Sequence, residues 1–214
     1  MSFFRRIKRI AESHRREPNI DGDTVSSLSS ANITIETELG STYTGKSAIL
    51  LKNTREEQFE EVKREIKGFF GAGRSESGLR LNTISDSYEN SWIILEAEKI
   101  EDSLAAVMAA ADTVRDRGLV TQLVACVFEY AKSSKTPYND DLLRHDTRKE
   151  DRLYDNNQYL VYDFQTNKFY PFITIKGSKM RDRELETKIK DSLKREIPFE
   201  DDESLWQPYW NLPF

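Results

Sequence analysis

The 214-residue chain has a single cysteine, Cys126, and only two histidines, His14 and His145. A lone cysteine excludes an internal disulfide framework and fits a reducing compartment. It stands in the run Leu123-Val124-Ala125-Cys126-Val127-Phe128, where a buried structural thiol is expected rather than a nucleophile. With so few imidazole and thiolate donors, neither a zinc site nor a histidine-ligated metal is expected, and no cofactor is implied. His145 lies beside Asp146, yet no nucleophile pairs with it in the sequence. Long apolar runs are also missing. None approaches the roughly 20 residues that span a bilayer, and the N-terminus has no uninterrupted apolar core of the secretory type. Apolar residues still make up 37% of the chain and charged residues 32%, enough to bury a core in one large domain or a domain with appendages.

Positive charge outweighs negative at the N-terminus, against the balance of the whole chain. Residues 1–16 carry Arg5, Arg6, Lys8, Arg9, Arg15 and Arg16 against Glu12, which is +6 − 1 = +5, so the remainder of a chain of net charge −5 sums to −10. Within that segment Phe3, Phe4, Ile7 and Ile10 fall at helical spacing, framed by Arg5, Arg6 and Arg9. An apolar stripe edged with cations is the pattern of a helix lying among anionic headgroups, so peripheral membrane contact or partner contact is expected here. The plain structural alternative is an amphipathic helix capping the domain's own core. The acidic body argues against general nucleic-acid binding. Residues 17–31 are polar, with Pro18, Gly22 and several serines, and read as a linker. The expected organisation is thus a basic amphipathic segment and linker over 1–31 and one domain over 32–214. Asp21-Gly22-Asp23 is a poor match to a calcium loop, because the glycine is misplaced and no glutamate follows at the required distance.

Periodicity then gives the elements. Ile33, Ile35, Thr37 and Leu39 alternate with Thr34, Glu36 and Glu38, which predicts a half-buried strand, with a return strand at Ala48-Ile49-Leu50-Leu51. A helix is expected over 55–70, opened by a Thr54/Glu57 capping box and burying Phe59, Val62, Ile66, Phe69 and Phe70. Leu79, Leu81 and Ile84 lead to a second pair of strands ending in Trp92-Ile93-Ile94-Leu95, followed by an alanine-rich helix over 100–117. Leu123 to Tyr130 reads as another strand. Tyr159, Val161 and Phe164 pair with Phe169, Phe172 and Ile173 across a Gln165-Thr166-Asn167-Lys168 turn. A helix over 179–196 follows, with Leu185, Ile189 and Leu193 on one face, ended by Pro198. Three strand–strand–helix units of this kind imply an α+β domain with a mostly antiparallel sheet.

Two further stretches bear on function. Gly40-Ser41-Thr42-Tyr43-Thr44-Gly45-Lys46-Ser47 matches the phosphate-loop pattern G-x-x-x-x-G-K-[ST], in which Gly40, Gly45, Lys46 and Ser47 would hold a nucleotide. Its context is wrong: a phosphate loop follows a buried parallel strand and opens a helix at once, whereas this one is expected to be a glycine-flanked turn between two strands. At the other end, Trp206, Tyr209, Trp210 and Phe214 crowd into the last nine residues. Each buried ring removes roughly 150–250 Å² from water, so the tail is expected to dock on the body, the alternative being a peptide that binds a partner. Residues 133–157 form a long charged loop of the kind that is either functional or disordered.

Gly40…Thr44-Gly45-Lys46, Leu119…Gln122-Leu123-Val124-Ala125-Cys126-Val127-Phe128, Lys168-Phe169-Tyr170-Pro171-Phe172 and Trp206…Trp210-Asn211-Leu212-Pro213-Phe214 together resemble the PspA-associated family PspAB, known mostly from archaea and some bacteria. The similarity covers about residues 24–214, apart from a longer loop at 133–157. It implies a non-enzymatic adaptor or regulator in the phage-shock or envelope-stress system, cytoplasmic and peripheral to the inner face of the cell membrane. The implied partners are PspA, a coiled-coil membrane-remodelling protein, and an HtpX-like membrane metalloprotease. Two other functions remain open on the residues alone: a nucleotide-binding enzyme using Lys46 and Ser47, and a small-ligand-binding α+β domain.

Overall fold

The computed structural model describes residues 18, 20–72, 78–85, 90–132, 158–175 and 177–214. Four helices and six strands follow in the order α1 (Gly22–Thr37), β1 (Ser41–Lys52), α2 (Glu56–Ala72), β2 (Arg80–Ser85), β3 (Asn90–Glu96), α3 (Ile100–Asp116), β4 (Leu123–Lys132), β5 (Gln158–Asp163), β6 (Lys168–Ile173) and α4 (Arg183–Leu193). The strands form one sheet in the order β2-β3-β1-β4-β5-β6, and every neighbouring pair is antiparallel. This is an α+β fold, as the antiparallel hairpins and segregated helices imply.

The first expected unit folds differently. Residues 33–39 are not a strand, and residues 17–31 are not wholly linker: α1 runs through both and crosses the expected boundary at 31/32. Asp21 caps it, its carboxylate accepting from the Thr24 backbone N–H at 3.1 Å and the Thr24 hydroxyl at 2.9 Å. The face that decides the matter is Val25, Leu28, Ala31 and Ile35, all buried, while Ile33 is 66% exposed. Burying four apolar side chains at helical spacing outweighs the strand preference of the β-branched residues between them. The strand expected at 48–51 begins earlier, and the turn expected at 40–47 is mostly strand: residues 41–52 form β1, inside the sheet between β3 and β4.

The remaining elements lie close to their expected places, with local corrections. In α2, Phe69 points outward at 64% exposure, although Phe59, Val62 and Ile66 are buried. The Thr54 hydroxyl is buried and makes no hydrogen bond, so the capping box does not form. Helix α4 starts later than residue 179, because Asp182 is its N-cap and accepts from Leu185 N–H at 3.0 Å.

Alternation along the strands builds two cores on opposite faces of the sheet. The inner face carries Ile49, Leu51, Ile93, Leu95, Cys126, Phe128, Leu160 and Tyr162, packed against all four helices. The outer face carries Ala48, Leu50, Trp92, Ile94, Ala125, Val127, Tyr159, Val161, Tyr170 and Phe172. Strands apolar on both sides read as continuous hydrophobic runs, which is why Trp92-Ile93-Ile94-Leu95 and residues 123–128 show no alternation. Something must therefore cover the outer face. Among the described residues that cover is the C-terminal tail, not a helix.

Candidate partner-binding face and the C-terminal strap

The tail leaves the edge of the sheet beside β6. Phe199 bridges Phe169 in parallel, Phe169 N–H donates to Pro198 O at 2.8 Å and Glu200 N–H donates to Phe169 O at 2.9 Å. A short 3₁₀ turn, Glu203–Leu205, capped by Asp202, then swings the chain onto the outer face. Trp206 is the anchor: it is buried, stacks on Tyr170 at 6.1 Å, and its indole N–H donates to Glu200 O at 3.0 Å.

Arg181 ties this anchor to the body. Its guanidinium donates to Trp206 O at 3.0 Å, to Pro171 O at 2.9 Å and to Glu186 Oε1 at 2.7 Å. The same group stands 5.2 Å from the Phe172 ring and 5.7 Å from the Trp206 ring, with Lys190 Nζ 5.6 Å from the latter. Cations over aromatic faces hold the indole where simple apolar packing would let it slide. Glu186, on the first turn of α4, completes the latch by accepting from Ile173 N–H at 2.9 Å and from Arg183 at 3.1 Å. Burial pushes its carboxyl above the usual carboxylate range, while Arg181 and the Ile173 amide pull the other way.

Beyond Trp206 the tail lies on the face by its side chains. Tyr209 meets Trp92 edge-on at 6.2 Å, Trp210 meets Phe172 edge-on at 5.3 Å, and Phe214 stacks on Tyr159 at 6.1 Å. Gln207 O accepts from the Tyr170 hydroxyl at 3.3 Å. The Tyr209 hydroxyl is buried beside that of Tyr170, and burial raises both phenols above their ordinary value. Trp206, Tyr209, Trp210 and Phe214, singled out in the sequence, thus share one strap on one apolar face. Their receiving residues, Trp92, Tyr159, Tyr170 and Phe172, and the Arg181–Glu186 latch carried no motif. Only the two-sided apolar runs of the strands signalled a second core.

Residues 40–47 are neither a phosphate loop nor a hairpin turn. Gly40, with φ 59°, turns the chain from α1 into β1, and Gly45, with φ 88°, sits at a bulge inside that strand. Gly45 O accepts from Ala97 N–H at 2.9 Å, and a Cβ at Gly45 would meet Ala97 O at 3.3 Å. The pattern's two glycines therefore serve backbone geometry. Lys46 projects toward Glu129, with Nζ 3.8 Å from its carboxylate. Ser47 is fully buried, its hydroxyl 2.8 Å from that of Ser103. Tyr43 joins them by donating to Ser103 at 2.9 Å, and burial pushes its phenol up to about 12. The lysine and serine of the motif point to opposite faces of the sheet, and the chain after Ser47 continues as strand, so no helix N-terminus faces a common phosphate position.

A cavity of about 10 Å³ lies between α1, β5 and α4, lined by Ile35, Tyr130, Gln158, Leu160 and Ile189 among others. Gln158 accepts from the Ser41 hydroxyl at 2.8 Å, and its Nε2 has no partner. Such a space takes about one water and no metabolite. Cys126 is fully buried, and burial raises its thiol well above the ordinary value. No helix among the described residues is long and apolar enough to cross a membrane. Phe3, Phe4, Arg5, Arg6, Ile7, Arg9 and Ile10, like His14, His145 and the charged loop at 133–157, lie outside the described residues.

Comparison with known proteins finds one family model, described as PspA associated protein B, which matches residues 1–214, the whole chain. Neither a curated protein nor a solved structure matches.

Proposed function

The chain belongs to that family, PspAB, and on this premise we propose that it is a non-enzymatic adaptor or regulator that binds PspA by protein–protein contact at the cytoplasmic face of the cell membrane. An accessory role alongside PspA is what the family description gives; the manner of action is our reading. The observation that carries it is the outer sheet face, where ten buried apolar residues are served by a peptide strap rather than by a helical layer. An aromatic surface of this kind is built to hold another segment, and aromatic side chains dominate protein–protein contacts. The basic segment at 1–16, with Phe3, Phe4, Ile7 and Ile10 on one side and Arg5, Arg6 and Arg9 beside them, supplies peripheral attachment to anionic lipid. An HtpX-like membrane metalloprotease is a second partner in this scheme. The Ser47–Ser103 tether and the strand that continues past Ser47 favour a structural use of residues 40–47 over a nucleotide site.

Affinity capture from native membranes with the tagged full chain tests the proposal. PspA should be enriched over a tag-only control, and the enrichment should survive added ATP and magnesium. Recovery of the protease without PspA, or of neither, would overturn it.

A further inference from the structure

We propose that Asn82 guards the open edge of the sheet: its side chain occupies the central backbone donor through which β2 of a second copy of this chain would pair with β2. The two ends of the sheet are finished differently. At β6, Phe199 bridges Phe169, and the outward backbone groups of Phe169 are taken by Pro198 O and Glu200 N–H. At the other end lies β2, and among the described residues no strand pairs with its outer edge.

Which groups β2 turns outward follows from the register. Ala97 N–H donates to Gly45 O on β1, and backbone groups alternate in direction along an antiparallel strand, so Glu96, Ile94 and Trp92 turn theirs toward β2. Those three pair with Arg80, Asn82 and Ile84, which leaves the backbone groups of Leu81, Thr83 and Ser85 pointing away from the sheet. Thr83 is the middle one of these, and its N–H donates to Asn82 Oδ1 at 2.8 Å. A donor already satisfied by a side chain offers a new strand nothing unless that side chain first gives way.

The strand itself carries no other protection. It has no proline, its pairing with β3 runs without a bulge, and its single charge, Arg80, stands at the first position and faces Glu96 of the same chain at 3.1 Å. It also suits pairing with itself. About a twofold axis at Thr83, Leu81 would face Ser85 of the second copy and the two Thr83 residues would meet, with no like charges opposed. One continuous sheet would then run through both copies, covering Ile84, which is 41% exposed. Asparagine is a poor strand former, and Asn82 is exposed, so core packing does not account for it; the contact with the Thr83 amide does.

The experiment measures the mass of the full chain by light scattering after size exclusion, over a concentration series, for the wild type, N82V, N82D and N82V/S85P. Valine removes the amide oxygen and suits a strand, whereas aspartate keeps an acceptor for the Thr83 N–H. Proline at 85 removes an outward N–H at an exposed position and leaves the pairing with β3 intact. Melting curves show that each variant is folded, and N82T takes the place of N82V if valine is not tolerated. The mass of N82V should climb with concentration toward about twice the wild-type value, as a closed twofold pair requires. N82D and N82V/S85P should both keep the wild-type mass. An N82V mass equal to that of the wild type at every concentration overturns the inference. A rise in mass that N82D shares, or that S85P fails to reverse, overturns it as well, since the association would then not pass through the Asn82 contact or this edge.

Discussion

The hydroxyl of Ser47 lies 2.8 Å from the hydroxyl of Ser103, in the core between β1 and α3. That pair explains why a sequence with every residue of a phosphate loop does not form one. Ser47 is spent on holding a helix to the sheet, and the Tyr43 hydroxyl donates to the same Ser103 oxygen at 2.9 Å. Lys46, one residue earlier on a pleated strand, necessarily points the other way.

Two substitutions distinguish these uses. Lys46→Ala should change stability by no more than about 0.5 kcal/mol, because the side chain is 41% exposed and its ion pair with Glu129 is loose. Ser103→Ala should cost about 1–3 kcal/mol, since the buried Tyr43 hydroxyl loses its Ser103 acceptor and Ser47 keeps only a long contact to Leu95 O. Urea denaturation measures both. Magnesium-dependent ATP binding by the full chain that vanishes in K46A would contradict the structural reading of the motif.

Removal of the anchor should be felt by the whole domain. Trp206→Ala deletes a buried indole, removes the ring under the Arg181 guanidinium and takes the indole donor from Glu200 O. Large aromatic truncations in a core cost about 3–5 kcal/mol, a sizeable share of a domain's stability. A chain truncated after Glu203 should fare worse, because Tyr209, Trp210 and Phe214 leave as well. An unchanged melting temperature in both would mean that the tail contributes nothing to the fold.

The Glu186 carboxyl gives a pH signature. Its pKa is raised in the folded chain, chiefly by burial, so between the ordinary value of 4.5 and the raised one the folded state holds a proton that the unfolded chain has lost. Stability from this group is fully present below that interval and declines as pH rises through it. Stability of the wild type minus that of E186Q should therefore fall as pH climbs from about 4.5. Denaturation series at several pH values give this difference directly. A difference that grows with pH would mean that the Arg181 and Arg183 contacts, not burial, govern the carboxyl.

Residues 1–16 are expected to carry membrane attachment. Deleting them should leave the melting temperature unchanged and lower sedimentation with anionic liposomes, an attraction of about 1 kcal/mol per basic residue near the surface. Reversing charge at Arg5, Arg6 and Arg9 should do the same, and salt should weaken binding by the intact chain. Equal sedimentation on neutral and anionic liposomes would reject the electrostatic mechanism. A lowered melting temperature on deletion would place the stripe on the domain's own core.

Most of the architecture is legible where one period dominates. The α3 helix, the β5–β6 hairpin with Asn167 at φ 54°, and the α4 stripe of Leu185, Ile189 and Leu193 all follow from spacing and turn chemistry. The α1 helix was hidden because serines and threonines dilute its apolar face, while Ile33, Ile35 and Thr37 mimic a strand over a short window. Asp21 was the available signal, an N-cap with Val25, Leu28 and Ala31 at helical spacing behind it. In the sequence Gly45 looks like the close of a turn, because glycine serves turns and bulges alike and only strand pairing tells them apart. For the functional face, the strap was visible in its aromatics. Arg181 and Glu186 were not, because each looks like an ordinary surface charge until the fold places Trp206 and β6 around them.

Binding between two purified proteins tests the central claim most directly. The full chain and PspA from the same organism should form a complex measurable by calorimetry, with no nucleotide required. Substitution of a strap-facing residue, Trp92→Ala or Tyr159→Ala, should weaken it while the protein stays folded. A full chain that binds PspA at neither low nor physiological salt, or that binds it with unchanged affinity when Trp92 and Tyr159 are both replaced, would contradict the account.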